Sequence, residues 1–166
     1  MKMHSPSDLL GTRLLAISNT ALDNQATLIT MADAATSPAV RVELDKAIEQ
    51  SATHLRRLDE IFDVIGPPRV TTGNGCIGRP MDTGADWASH TTGARERDTK
   101  LIAWTQRMLF DEINAYCRAH ECALELQRDG VIGLLGQTLK EKYALAKHLV
   151  TLSEFVRLRR AQLASA

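Results

Sequence analysis

The spacing of apolar residues along the chain predicts four long helices and no strand. Apolar positions recur in steps of three and four, which places them on one face of an α-helix, and no segment shows the alternation of a half-buried strand. The predicted helices run from about Ser7 to Ala35, Pro38 to Ile65, Arg95 to Gln127 and Val131 to Leu163. The pattern therefore indicates an all-α protein.

On each predicted helix the inward-facing positions form a heptad-like row, which we call the seam of that helix. Such seams are found where helices cross at about 20°. Seams on four helices predict a bundle whose core lies between them. In the fourth helix we expect the seam to consist of Val131, Leu134, Thr138, Glu141, Leu145, His148, Leu152 and Phe155.

Two of the connections between the predicted helices are short, and one is long. Turn residues at 36–38 separate the first two helices, and the break at 129–130 separates the last two. Residues 67–94 are glycine-rich and contain a predicted short helix from Met81 to Ser89. One long crossover between helices 2 and 3 is typical of ferritin-like four-helix bundles. We therefore expect a single ferritin-like domain over residues 1–166.

Three ionisable residues lie on the predicted seams, where a bundle normally has apolar side chains. They are His54, Glu112 and Glu141, each on a different helix and close to its middle. Burying an unpartnered charge costs several kcal/mol. Metal-binding bundles bury such residues as inward-facing ligands. These three residues are therefore candidate metal ligands.

Five short stretches follow one another along the chain in a characteristic order and spacing. They are Met31-Ala32-Asp33-Ala34-Ala35-Thr36-Ser37-Pro38, Leu55-Arg56-Arg57-Leu58-Asp59-Glu60-Ile61-Phe62, Cys76 in the crossover, Glu112-Ile113-Asn114-Ala115-Tyr116, and Thr138-Leu139-Lys140-Glu141. Together they resemble the YciF/YciE-like ferritin-like proteins, a family of unknown function also called DUF892. The resemblance covers residues 8–150.

The resemblance implies carboxylates and a Gln or His at the bundle centre, suited to two metal ions. This chain departs from that pattern at the positions that correspond to the family's ligands: Ala21, Gln50, Leu109-Phe110 and Ala146. Of the expected ligands, His54, Glu112 and Glu141 remain, the same three that the seams indicate.

Three interpretations of this set are open. A di-metal centre needs a Glu from each of two helices and a Glu-x-x-His from each of the other two, and the chain has no Glu-x-x-His. A single Fe, Mn or Zn ion could be held by two carboxylates and one imidazole. The favoured interpretation is a metal-free polar network in a degenerate centre, in which the remaining partners are Ser51, Asn24 and Thr138.

Composition narrows the choice of partners. Lys plus Arg and Asp plus Glu are 20 each, so no basic excess favours nucleic acid or a membrane surface. No apolar run is long enough to span a membrane, and no signal peptide precedes the first helix. The three cysteines are an odd count without a disulfide framework, which predicts a cytoplasmic location.

No nucleophile or acid–base pattern identifies catalytic residues, so we expect a non-catalytic structural or self-association protein. Self-association as a homodimer is expected because Met81 and Trp87 of the crossover need a surface to cover. The alternative is a metal-binding redox or metal-storage protein with its site at the bundle centre.

Overall fold

The structure is a computed structural model, and it describes residues 6–66 and 93–164, with side chains described as far as residue 158. Within these ranges the chain forms four helices and no strand: α1 (Pro6–Ala34), α2 (Pro38–Ile65), α3 (Ala94–Glu125) and α4 (Asp129–Ala164). The predicted helices are therefore confirmed to within a few residues. The predicted short helix at 81–89 and the residues Cys76, Met81 and Trp87 lie outside the described residues.

The four helices pack as a bundle in which α1 contacts α2 and α3, and α4 contacts α3 and α2. Arg13 Nη1 donates to the Arg118 carbonyl at 2.8 Å, and Asn24 bonds Glu112 at 2.7 Å, so α1 and α3 run antiparallel. The all-α four-helix bundle predicted from the sequence is confirmed. The crossover between α2 and α3 stays a prediction because it lies outside the described residues.

The predicted seams of α1, α2 and α3 do face the core. Leu14, Leu44, Leu58 and Leu101 are at most 1% exposed. A second row of apolar residues on α3 is also buried, namely Ile102, Leu109, Tyr116 and Ala123, and Tyr116 is 1% exposed. Large apolar side chains that are removed from water on all four helices supply the main stabilisation of such a bundle.

The predicted seam of α4 is wrong in half of its positions. His148 is exposed and Phe155 is 47% exposed, whereas Leu135 and Leu149 are almost fully buried. The buried row is Val131, Leu135, Thr138, Lys142, Leu145, Leu149 and Leu152. The predicted row and the buried row share every second position. At the other positions the buried residue is the one that directly follows the predicted residue in the sequence. Lys142 interrupts the apolar pattern of the correct row once, whereas Glu141 and His148 interrupt the predicted row twice, so the apolar pattern itself favours the row that the structure buries.

The turn between α1 and α2 is held by a carboxylate from α3. Asp98 is 4% exposed, and its oxygens accept hydrogen bonds from the Thr36 backbone N–H at 2.8 Å and the Ser37 backbone N–H at 2.9 Å. The Thr36 hydroxyl donates to the same carboxylate at 2.6 Å. Ser37 is the N-cap of α2, but its own side chain makes no capping bond. Asp98 therefore satisfies the donors of a helix start from a neighbouring helix.

Replacing Asp98 with alanine should lower the free energy of unfolding by about 2 kcal/mol, because it leaves two part-buried backbone donors and the Thr36 hydroxyl without their carboxylate acceptor. Urea unfolding followed by circular dichroism measures this loss. Asp111→Ala, on the exposed side of the same helix, is the matched control and should change the free energy by less than about 0.5 kcal/mol. Equal effects of the two substitutions would contradict the capping role of Asp98.

None of the helices in the described part of the chain combines the length and the apolar character that a membrane span requires.

Candidate site at the bundle centre

Glu141 of α4 lies in a cluster of donors supplied mainly by α2. Arg57 binds it with both terminal nitrogens, Nη1 to Oε2 at 2.6 Å and Nη2 to Oε1 at 2.8 Å. His54 Nε2 lies 3.0 Å from Oε2, and Gln137 Nε2 donates to Oε1 at 3.3 Å. A bidentate guanidinium–carboxylate pair fixes both geometry and charge. The Glu141 carboxylate is therefore neutralised by Arg57.

Glu112 of α3 forms a second pair with a different partner. Lys142 Nζ lies 2.6 Å from Oε2, and Asn24 Nδ2 donates to Oε1 at 2.7 Å. The side chains of Lys142 and Glu112 are only 5% and 13% exposed, so this pair is largely removed from water. The Lys142 ammonium also lies 5.1 Å from the centre of the Tyr116 ring, within range of a cation–π contact.

The structure joins two of the three predicted site residues by a hydrogen bond, and the third is bound to other side chains. His54 and Glu141 share a hydrogen bond, whereas Glu112 is bound to Lys142 and Asn24. Within the described residues, 6–66 and 93–164, no group of three or more His, Cys, Asp or Glu side chains is arranged to hold a metal ion.

Burial keeps the His54 imidazole neutral. Its side chain is 2% exposed, and the loss of water, with the nearby Lys142 ammonium, lowers the pKa of His54 from 6.5 to about 4. A neutral ring that donates from Nε2 to Glu141 carries its lone pair on Nδ1. Nδ1 is buried and makes no hydrogen bond within the described part of the chain. His54 is thus a fixed hydrogen-bond donor on one side and an open acceptor on the other.

The Arg57 hydrogen bonds lower the pKa of Glu141 from 4.5 to about 2, and the His54 and Gln137 bonds act in the same direction. Burial opposes this effect but is weaker, since 31% of the side chain remains exposed. Glu141 is therefore ionised throughout the neutral range.

A small cavity lies beside His54 and the Glu112–Lys142 pair. Its volume is about 20 Å³, which is enough for about one water molecule. His54, Gln50, Glu112 and Lys142 line its polar side, while the apolar wall includes Met108. Gln50 Oε1 is a second buried acceptor without a partner among the described residues. The cavity is too small for a cofactor.

The family's ligand positions were assigned from the resemblance, and most of them do lie near the centre. Ala21 is buried, and Gln50 and Leu109 line the cavity. Phe110 is the exception because it is 64% exposed, on the outside of α3. Phe110 therefore adds no apolar volume to the core.

Sequence reasoning missed the two cations that define the site. Arg57 lies one helical turn after His54, and Lys142 follows Glu141 directly. The signal for Lys142 was its place in an otherwise apolar row that includes Leu135 and Leu149. For Arg57 it was the spacing of three from His54, which puts both side chains on one face.

This donor set does not suit the metal centre that the resemblance implies. Both oxygens of Glu112 and both oxygens of Glu141 already accept hydrogen bonds, and the donors include the ammonium of Lys142 and the guanidinium of Arg57. A divalent ion placed between them would be repelled by both cations. The residues present hold internal positive charge where the family pattern places metal.

Solved structures with the same architecture are known from three bacteria. YcfI of Rhodopseudomonas palustris, for which a structural role has been suggested, has a TM-score of 0.80 and 23% identity over 90% of this chain and 96% of its own. The E. coli stress protein YciF has a TM-score of 0.80 and 20% identity over 93% and 98%. A protein of Xanthomonas campestris pv. campestris has a TM-score of 0.76 and 13% identity over 98% and 100%. At these identities the likeness shows the shared fold.

Family membership rests on a match that covers almost the whole chain. No curated protein is significantly similar to it in sequence. The model of a domain of unknown function, DUF892, matches residues 9–162. This agrees with the resemblance seen in the sequence and with the likeness to YciF. The chain therefore belongs to the DUF892 family.

Proposed function

We propose that this protein is a non-catalytic structural protein that associates with itself and whose ferritin-like bundle has replaced its metal centre by internal salt bridges. One observation carries the proposal: each central carboxylate is already paired with a cation. Lys142 pairs with Glu112, and Arg57 pairs with Glu141. The positive charges of these two side chains balance the inward carboxylates, as metal ions do in other bundles.

The energetics favour a permanent internal pair over an exchangeable ion. A buried carboxylate without a partner is costly, and a side-chain cation on the neighbouring helix is always present at equal stoichiometry. The Lys142 pair links α3 to α4, and the Arg57 pair links α2 to α4. The two pairs therefore hold three of the four helices together at their centre, which suits a structural role.

The suggested structural role of YcfI supports this proposal, since its fold extends over nearly the whole chain. The cytoplasmic location inferred from the cysteine count stays a prediction.

The second candidate function is a metal-binding redox or metal-storage protein. The observation in its favour is that His54 and Glu112 line the same cavity and that His54 Nδ1 is an unused acceptor. Metal binding there would require Lys142 to leave Glu112, which exchanges a buried ion pair for a coordination bond. The two candidate functions predict different metal contents for the purified protein.

Protein purified without chelator and with its affinity tag removed should contain well below one equivalent of Fe, Mn or Zn. Adding Mn²⁺ or Zn²⁺ should leave the melting temperature unchanged, whereas a site filled at 100 times its Kd would add about 2.7 kcal/mol of stability. Elemental analysis and calorimetry measure the two quantities. One or two equivalents of metal that Glu112→Gln or Glu141→Gln removes would establish the second function instead.

A further inference from the structure

Two hydrogen-bond acceptors of α2 are buried at the central cavity without a protein partner. They are His54 Nδ1 and Gln50 Oε1, and neither accepts a hydrogen bond from another group in the described part of the chain. Both residues line the cavity. They are four positions apart on α2, so their side chains are neighbours on one face of the helix. A buried acceptor without a donor costs free energy, and the cost applies here to two adjacent groups.

The state of the His54 ring is fixed from its other side. Nε2 lies 3.0 Å from the Glu141 carboxylate, and the Arg57 hydrogen bonds keep that carboxylate ionised by lowering its pKa to about 2. An ionised carboxylate only accepts hydrogen bonds, so the proton of the neutral ring is on Nε2 and Nδ1 carries a lone pair. The cavity therefore offers two acceptors, and its occupant must supply two donors.

Lys142 supplies a donor to the same cavity from α4. Its side chain lines the cavity and is 5% exposed. The ammonium has three N–H groups. Glu112 Oε2, 2.6 Å from Nζ, accepts one of them, and the Tyr116 ring 5.1 Å away can face a second. Nζ makes no further hydrogen bond to a described residue, so one N–H group is left for the cavity.

The size and the polarity of the cavity together select its occupant. Its volume of about 20 Å³ admits one molecule of the size of water. A metal ion or an ammonium ion would be repelled by Lys142. An apolar gas would leave both acceptors unpaired. A water molecule has two protons to donate and lone pairs that accept, which matches the two acceptors and the one donor.

We propose that one ordered water molecule occupies the central cavity, donates hydrogen bonds to His54 Nδ1 and Gln50 Oε1, and accepts one from Lys142 Nζ. Three hydrogen bonds are typical of a buried water. The water joins the two ion pairs into one network, because His54 is bonded to Glu141 and Lys142 to Glu112. The hydrogen bonds then run without a break from α2 through α4 and α3 to α1. This inference rests on the metal-free centre proposed above.

A high-resolution crystal structure of the complete chain, purified without chelator, tests the proposal directly. One density peak should lie about 2.7–3.2 Å from His54 Nδ1, Gln50 Oε1 and Lys142 Nζ. A peak about 2.0–2.1 Å from Nδ1, with anomalous signal, would be a metal ion and would overturn both this inference and the metal-free centre. If no peak is found, or if the Gln50 amide is turned over and donates directly to Nδ1, this inference alone is wrong and the metal-free centre stands.

Gln50→Met tests the water in solution, because methionine keeps the volume of the side chain and removes one acceptor. The equilibrium constant for folding should fall about 5-fold, the usual effect of one lost hydrogen bond. In a dry cavity the same change would remove a buried unpaired acceptor and raise the constant. Gln106→Met is the matched control, since Gln106 is half-buried on α3 and does not line the cavity, and its effect should stay below about 2-fold. Urea unfolding measures both variants, and an unchanged or raised constant in Gln50→Met would overturn the proposal.

Discussion

Replacing Lys142 with methionine should lower the free energy of unfolding by about 3–5 kcal/mol, the range for breaking a buried ion pair from one side. Methionine keeps most of the volume of lysine but leaves Glu112, at 13% exposure, with Asn24 as its remaining partner. The cost arises from the carboxylate left behind and not from lost packing. Glu112→Leu should be about as costly, because it leaves the ammonium of Lys142 unpaired at 5% exposure.

The double variant Glu112→Leu/Lys142→Met should cost less than either single substitution, since it removes both charges and keeps the core filled. Urea unfolding of the four proteins gives the coupling energy between the two positions. Lys140→Met is the matched control on the same helix, and because Lys140 is exposed its effect should stay within about 0.5 kcal/mol. If the two single effects add up to the double effect within about 0.5 kcal/mol, the pair does not exist in solution.

The fold could be predicted from the sequence because it depends on a pattern that many residues share. Seams on α1, α2 and α3 repeat over several turns, and a single polar member such as Asn24 or His54 does not hide them. The breaks are also local signals: Gly66, with φ of 80°, ends α2, and Pro38 begins it. The seam of α4 failed because two adjacent rows share every second member, and the predicted row was the less apolar of the two, with Glu141 and His148 where the buried row has Lys142 and Leu149.

The site could be predicted only as far as single helices allow. The seams identified His54 and Glu112 as buried, and the structure agrees. Which side chain each one contacts depends on how two helices are offset along their axes, and a shift of one turn moves a residue by about 5.4 Å. The charged groups of long side chains such as Arg57 and Lys142 also lie several bonds from the backbone, so the seam positions do not show which residues they contact. The sequence therefore predicted a polar centre with carboxylates and an imidazole, and it missed that two cations pair with the carboxylates.

The protein should lose about 3 kcal/mol of stability between pH 6.5 and pH 4 because of His54 alone. In the unfolded chain this imidazole takes up a proton near pH 6.5, whereas burial lowers the pKa of His54 to about 4 in the folded protein. Between these values the unfolded state binds more protons, so acid favours unfolding. Well above pH 6.5 both states are neutral at this residue, so His54 causes no loss of stability there. Glu141 adds a further loss only below pH 4.5, since its folded pKa is about 2.

His54→Gln should flatten the decline between pH 6.5 and pH 4.5, because glutamine can still donate a hydrogen bond to Glu141 but does not titrate. Urea unfolding at pH 7, 6, 5 and 4.5 measures the slope, and an NMR titration of the His54 ring should show it neutral down to about pH 4. His148→Gln, which replaces an exposed histidine on α4 with the same residue, is the matched control. A decline that persists in His54→Gln, together with a His54 ring that takes up its proton at or above pH 6.5 in the NMR titration, would mean that the imidazole pairs with Glu141 as a cation. The centre would then hold a third positive charge beside Lys142 and Arg57.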